Sequence, residues 1–130
     1  DFKTIYITPM TVDEDGREAR RWPQSWFRHD QPYLKYPSDS NLVWLREAGI
    51  DLSNDLIPEN ISDSQAEDIC DAFGLFGTAQ ECLTRLIRAG NESGVEQVFI
   101  FPTHTQDGGY DMPRAEVEAF QEVIFPGLCR

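Results

Sequence analysis

Residues 73–101 have the sequence FGLFGTAQECLTRLIRAGNESGVEQVFIF, and this stretch has the clearest secondary-structure pattern of the chain. Residues 73–76 form a short apolar run that predicts the end of a buried strand. Thr78 and Glu81 have the spacing of a capping box, in which each side chain accepts a hydrogen bond from a backbone amide at the start of a helix. A helix is therefore predicted to begin directly after Thr78.

The predicted helix is amphipathic, and a second strand follows it. Gly94 suits a left-handed C-terminal cap, and residues 95–101 are rich in β-branched and aromatic side chains. Strand, helix and strand in close succession predict a βαβ unit with parallel strands. Apolar residues at helical spacing predict one buried stripe on the helix, which consists of Ala79, Cys82, Leu83, Leu86 and Ile87.

The start of the chain predicts a third strand and a helix. Residues 2–8 have a β-rich composition, and Pro9 is expected to end the strand because proline has no amide hydrogen for the ladder. Acids at residues 13–15 precede an arginine-rich helix, which Pro23 is expected to break or kink. The dense aromatic residues of this region either anchor an irregular helix or form a substrate lid: Trp22, Trp26, Phe27, Tyr33 and Tyr36.

Two more helices are predicted in the middle of the chain. Ser38 or Ser40 caps a short helix that ends before Gly49, and Ser62 begins a helix that runs to Ala72. Residues 50–61 are polar and predict a loop. The sequence thus predicts three strands in all, at residues 2–8, 73–76 and 95–101.

Several of these segments resemble the C-terminal part of the bacterial-luciferase-like oxidoreductases. The resemblance is carried by VDEDGREARR at residues 12–21, FGTAQEC at 76–82, SGVEQV at 93–98 and FPGL at 125–128. It covers most of the chain, and its motifs are structural rather than catalytic. It implies an α/β fold that is the C-terminal portion of a TIM (β/α)8 barrel, with about three parallel strands and flanking helices.

The resemblance also implies that the chain is part of a larger assembly. Residues 1–130 would be the C-terminal half of one barrel domain, because a closed barrel of this type has eight strands. The expected partner is the missing N-terminal half of the barrel or another subunit. Unpaired parallel strand edges further predict a homo-oligomer.

The implied function is oxidation or reduction of a small organic substrate. The family includes flavin-dependent monooxygenases and enzymes that use the deazaflavin F420, so the resemblance implies FMN or F420 as cofactor. Most cofactor contacts and catalytic groups of the family belong to the half that is missing here. The chain is therefore expected to be inactive alone, and no catalytic residue is assigned.

The loop after the last strand supplies the candidate cofactor- or substrate-binding residues, Thr103, His104 and Arg114. In a β/α barrel the loops that follow the strands form the active face. Arg114 suits bidentate binding of an anionic group, and His104 is the first residue to test. A solvated loop histidine and a surface arginine are the alternatives. No second histidine or cysteine lies at metal-ligand spacing from His104, so no metal site is predicted.

The composition disfavours several classes of partner. A net charge of −12 and a pI near 4.4 oppose binding to nucleic acid and to anionic membrane surfaces. No apolar run is long enough to span a bilayer, and three cysteines without a C-x-x-C pair fit reduced thiols in a cytoplasmic protein. Two alternatives to the oxidoreductase are a non-catalytic α/β module that binds a protein partner and a free-standing small enzyme that uses His104.

Overall fold

A computed structural model describes residues 5–26, 38–52, 58–103 and 112–129 of the chain. Within these residues lie three parallel strands, β1 (Ile5–Val12), β2 (Leu75–Gly77) and β3 (Gln97–Pro102). Their order is β2-β1-β3, so the first strand of the chain is the central one. The predicted number of strands is confirmed for the described part of the chain.

Helical segments surround this sheet. A 3₁₀ turn covers Pro58–Asn60, and a π-helical stretch, Phe120–Ile124, joins the last two helices. The α-helices of the described residues are α1 (Gly16–Arg20), α2 (Trp22–Trp26), α3 (Asp39–Glu47), α4 (Asp63–Phe73), α5 (Ala79–Ser93), α6 (Arg114–Ala119) and α7 (Phe125–Leu128).

Side-chain caps fix where three of the helices begin. Ser38, Ser62 and Thr78 each form a reciprocal capping box, and the one at Thr78 includes a 2.8 Å hydrogen bond from the Thr78 amide to Glu81 Oε2. The C-terminal end of α5 is closed by Gly94, whose φ of 67° lies in the left-handed region. These predicted helix ends are confirmed. They were predictable because capping depends on neighbouring residues alone.

Pro9 lies inside β1, so the prediction that it ends the strand is wrong; β1 continues to Val12. Alternate residues of a strand direct their backbone groups toward opposite neighbours. The Met10 carbonyl accepts from the Thr103 amide on the β3 side, at 3.0 Å, so Pro9 is turned toward β2. The β2 ladder begins only at the next position, where Met10 pairs with Leu75. The amide hydrogen that proline lacks is therefore not needed by the ladder.

Helices pack on part of both faces of the sheet. On one face, Phe76 packs with α2, α3 and α4 in a buried cluster that includes Trp22, Leu45 and Ile69. On the other face, Leu75 and Met10 pack with α5 and the π-helical stretch. Right-handed crossovers place their helices on opposite faces when the chain moves first to one side of the central strand and then to the other.

This arrangement differs from the expected barrel portion. In a (β/α)8 barrel each strand lies beside the next one in the chain, and the helices form one outer ring. Here β2 and β3 both lie beside β1, and helices occupy two faces, as in doubly wound sheets with strand order 2-1-3. The coarser architecture holds: the protein is α/β, with a three-stranded parallel sheet flanked by helices.

Two further expectations need correction. Strand β2 begins at Leu75 because α4 continues through Phe73, so the predicted strand at 73–76 starts too early. The buried stripe of α5 is also narrower than predicted, since Ile87 is 43% exposed.

The structure describes only part of the aromatic region that begins at Trp22. Pro23 is buried in the first turn of α2, a position that suits proline, so it helps to begin a helix. Trp22 is buried with its ring 5.2 Å from that of Phe76, which supports the anchor interpretation for this residue. The Trp26 side chain and the predictions for Phe27, Tyr33 and Tyr36 lie outside the described residues.

Candidate functional site

The carboxyl ends of β1 and β3 form the candidate site, because parallel strands end at the same edge of a sheet. Thr11 and Thr103 are hydrogen-bonded through their Oγ1 atoms at this edge, and both residues are half-buried. The Thr103 amide also extends the β3 ladder by donating to Met10. Thr103 therefore lies where the sequence predicted, while its role stays a prediction.

Glu116 completes this arrangement from α6. Its Oε1 atom accepts a 3.1 Å hydrogen bond from the amide of Val12, the last residue of β1. That amide faces the β3 side at a point where β3 has already ended, so the carboxylate takes the place of a ladder carbonyl. Thr11, Thr103 and Glu116 are together called the carboxyl edge below.

The sequence does not predict Thr11 or Glu116 as site residues. Thr11 falls outside the predicted strand, because Pro9 is expected to end the ladder. The amide that Glu116 binds is 104 residues away in the chain, and no local pattern marks such a contact. An acidic side chain in the first turn of a helix is otherwise explained by the helix dipole alone.

The other two candidate residues have different outcomes. Arg114 is the first residue of α6 and is exposed. It lies two positions before Glu116, which places the two side chains on different sides of the helix. His104 lies outside the described residues.

The N-terminus of α5 is not an open anion site. The Glu81 carboxylate already accepts from the Thr78 amide at 2.8 Å, and a negative ligand placed there would meet its charge. Gly77, with a φ of 150°, lies directly against this carboxylate, where a side chain would collide with Glu81. The Glu81 carboxylate therefore closes this end of β2, and the carboxyl edge between β1 and β3 is the more accessible site.

The buried cysteines are structural rather than reactive. Burial raises the pKa of the Cys70 thiol to about 12 and that of the Cys82 thiol to about 11, so both are neutral near pH 7. Cys70 Sγ also donates to the Arg20 carbonyl at 3.3 Å. Within the described residues, no group of three or more His, Cys, Asp or Glu side chains is placed to hold a metal ion.

The sheet also has an uncovered apolar region. Ile5, Ile7, Phe99 and Phe101 lie on the face opposite α5, and their exposed fractions range from 37% to 64%. Ile7 pairs in register with Phe99, so these side chains form one continuous surface, called the apolar sheet patch below. Exposed apolar surfaces of this kind mark sites of association.

No protein-family model, curated protein or solved structure matches the chain. The luciferase-like resemblance thus stays a prediction from sequence. None of the helices in the described segments is long and apolar enough to cross a bilayer.

Proposed function

We propose that the chain is part of an oxidoreductase that, like the luciferase-like enzymes it resembles in sequence, uses FMN or F420 on a small organic substrate, but that binds the cofactor on a doubly wound sheet rather than in a barrel. The observation that carries this proposal is the pairing of Thr11 and Thr103 at the carboxyl edge. Ligands of doubly wound sheets bind outside the carboxyl ends of the strands, where the strand order reverses. In sheets of order 2-1-3 that point lies between β1 and β3, and FMN is bound there in flavodoxin-type folds.

The chemistry of the carboxyl edge suits the ring of such a cofactor better than its phosphate. Threonine hydroxyls both donate and accept, so Thr11 and Thr103 match the carbonyl and ring nitrogen atoms of a flavin or deazaflavin. The Glu116 carboxylate would repel a phosphate at the same place. Arg114 and His104 remain the proposed contacts for an anionic group of the cofactor or substrate.

The chain is proposed to supply only part of the site. Flavin chemistry needs the ring to be held in a dry, shaped pocket. The apolar sheet patch instead leaves Ile7 64% exposed and Phe99 58% exposed. Further polypeptide, either the rest of the same enzyme or another subunit, would cover this patch and close the pocket.

Cofactor titration tests the proposal in two steps. FMN and F420 are added to the chain alone and to a longer polypeptide that includes the preceding coding sequence, and quenching of cofactor fluorescence is followed. The chain alone is expected to show no saturable binding at micromolar concentrations, whereas the longer polypeptide binds. Tight binding by the chain alone would contradict the proposal that the site is incomplete.

Matched threonine variants then locate the site within the longer polypeptide. Thr103→Val removes one hydroxyl while preserving shape, and we expect it to weaken cofactor binding about tenfold, the usual effect of one lost hydrogen bond. Thr84→Val is the control, because Thr84 is an exposed residue of α5 whose hydroxyl donates to Gln80 within the helix. Equal affinities for both variants would exclude the carboxyl edge as the cofactor site.

A non-catalytic interaction module is the second candidate function. The apolar sheet patch favours it, because such a surface serves a protein partner as well as a missing domain half. The same titrations separate the two functions: a longer polypeptide that binds neither FMN nor F420 favours the interaction module over the oxidoreductase.

A further inference from the structure

A groove of about 1100 Å³ opens on the face of the sheet that carries α5. Its floor includes Tyr6, Val98 and Ile100 of β1 and β3. Its walls come from the C-terminal half of α5 and from α6 with the π-helical stretch, through residues such as Ile87 and Phe120. The volume lies just above the range of roughly 300–1,000 Å³ that is typical of small-molecule sites.

The floor and walls of this groove, called the α5 groove below, expose apolar side chains that a ligand would cover. Ile87 is 43% exposed, Tyr6 42% and Phe120 38%. The groove thus explains why Ile87 departs from the predicted buried stripe. Covering such surface contributes about 25 cal/mol per Å² of apolar area to binding, before the entropic cost of association is subtracted.

The backbone next to the groove is also unusual. Phe120, which lines the groove, begins the π-helical stretch, whereas Ile124 at its other end is fully buried against α5. π-Helical turns are rare and frequently occur at functional sites. The π-helical stretch and the exposed ring of Phe120 therefore lie on the same wall of the groove.

The charge of the groove selects the kind of ligand. Its charged lining residues are Glu92, Glu96 and Glu116, and none of the described lining residues is lysine, arginine or histidine. Arg88 lies 3.9 Å from Glu92, which leaves Glu96 and Glu116 for a ligand to approach. Glu116 is half-buried and uses Oε1 to accept from Val12, so its charge is less screened by solvent than that of the exposed Glu96.

We infer that the α5 groove binds a small apolar molecule that carries an ammonium group, such as an arylalkyl or alkyl amine. The ammonium lies at Glu116, and the apolar body packs on Tyr6, Ile87 and Phe120. Because Glu116 is also part of the carboxyl edge, an amine held in this way would reach toward the proposed cofactor ring. As the substrate class of the oxidoreductase this assignment rests on the proposed function; as a binding site it does not.

Two fluorescent probes of opposite charge test the inference without any cofactor. Dansylcadaverine and dansyl-aminohexanoate share an aromatic group and a similar alkyl chain but end in an ammonium and a carboxylate, respectively. Dansyl emission increases when the ring enters an apolar site. We expect the chain to bind the ammonium probe at least about tenfold more tightly at low salt, and added salt to reduce the difference.

A groove-filling variant separates the site from general attraction to an acidic protein. Gly90 lines the groove in the helical part of α5, and a Cβ atom added there would come no closer than 3.7 Å to another group, the Val95 carbonyl oxygen. Gly90→Trp should therefore fold, since tryptophan is also a better helix former than glycine. We expect it to weaken dansylcadaverine binding about tenfold while the urea midpoint stays level or rises.

Controls assign the effect to the groove and its charge. Thr84→Trp adds the same side chain to an exposed position of α5 that does not line the groove, and it should leave binding unchanged. Glu116→Gln keeps an oxygen for the Val12 amide but removes the charge, so the preference for the ammonium probe should fall to about threefold; Glu96→Gln should change it less.

Specific results would overturn the inference. Equal affinity for the two probes would show that the site does not select for positive charge. Unchanged binding to the folded Gly90→Trp variant would show that the amine binds outside the groove. A failure to bind FMN or F420 would affect only the substrate assignment, because every amine measurement is made without cofactor.

Discussion

Two adjacent residues of α5 have opposite surroundings, although both belong to the apolar stripe that the sequence predicts. Leu86 is 7% exposed and belongs to the buried cluster with Leu83 and Ile124, whereas Ile87 is 43% exposed toward the groove. We expect Leu86→Ala to lower the free energy of unfolding by about 2–5 kcal/mol through a core cavity. Ile87→Ala should cost well under half as much because it leaves no enclosed cavity. Urea denaturation of both variants measures the difference, and equal losses would show that the stripe is misassigned.

The buried thiols make the protein sensitive to alkaline pH. Burial raises the pKa of Cys70 from its ordinary 9.0 to about 12 and that of Cys82 to about 11. Between pH 9 and these values the unfolded thiols lose protons that the folded ones keep. Because the folded state then binds more protons, its stability is fully present below pH 9 and falls as the pH rises.

Urea midpoints at about pH 8 and about pH 10 measure this loss of stability. Cys82→Ala should reduce the fall in midpoint, whereas replacing the exposed Cys129 by serine should leave the fall unchanged. Alkylation by iodoacetamide in native conditions should label Cys129 alone among the three cysteines. Rapid native labelling of Cys70 or Cys82 would contradict their burial.

At the scale of single elements, the cap of α5 is the most local of the structural features. Thr78→Ala removes the hydroxyl that accepts from the Glu81 amide, and we expect a loss of about 1 kcal/mol in unfolding free energy. Thr84→Ala is the matched control, since its hydroxyl donates to Gln80 inside the same helix and alanine is the better helix former. Thermal or urea melts that rank the two variants equally would exclude a specific role for the cap.

Local patterns predicted the elements well wherever their ends depend on neighbouring residues. The starts of α3, α4 and α5 follow from Ser38, Ser62 and Thr78, because a capping box needs only residues three apart. The end of β1 depends instead on which side of Pro9 faces a partner strand. The partner strands β2 and β3 lie far along the chain, so the residues close to Pro9 do not show which of its sides is paired.

At the scale of the whole molecule, the sequence predicted the parallel strands but not their order. The order β2-β1-β3 depends on the second crossover passing over β1, which changes no local pattern. The contacts at the carboxyl edge were likewise predictable only where they depend on local sequence. Thr103 was predictable because it follows a strand, whereas its partner Thr11 is 92 residues away.

The apolar sheet patch predicts self-association of the isolated chain. We expect the chain to elute from a sizing column as a species larger than the 14.9 kDa monomer, because this apolar surface favours contact between copies, as do the outer edges of β2 and β3, which have no ladder partner among the described residues. Phe99→Lys should shift elution toward the monomer, although it makes the net charge less negative and so lowers general repulsion. Trp44→Lys is the control, since Trp44 is 63% exposed on α3 and lies outside the patch. A wild-type monomer at all concentrations would contradict the prediction.

The central position of β1 has a consequence for the time course of folding. β1 leaves the ribosome before β2 and β3, and its ladder partners come much later: Met10 pairs with Leu75, and Ile5 pairs with Gln97. At a synthesis rate of about 5–20 residues per second, β1 waits for several seconds before β2 emerges and longer before β3 does. Non-local pairing of this kind also slows refolding, because loop closure precedes any gain from the contacts. During that interval Ile5, Tyr6 and Ile7 lack the ladder partners that they have in the folded sheet, and exposed apolar segments of this kind are the ones that chaperones protect from association.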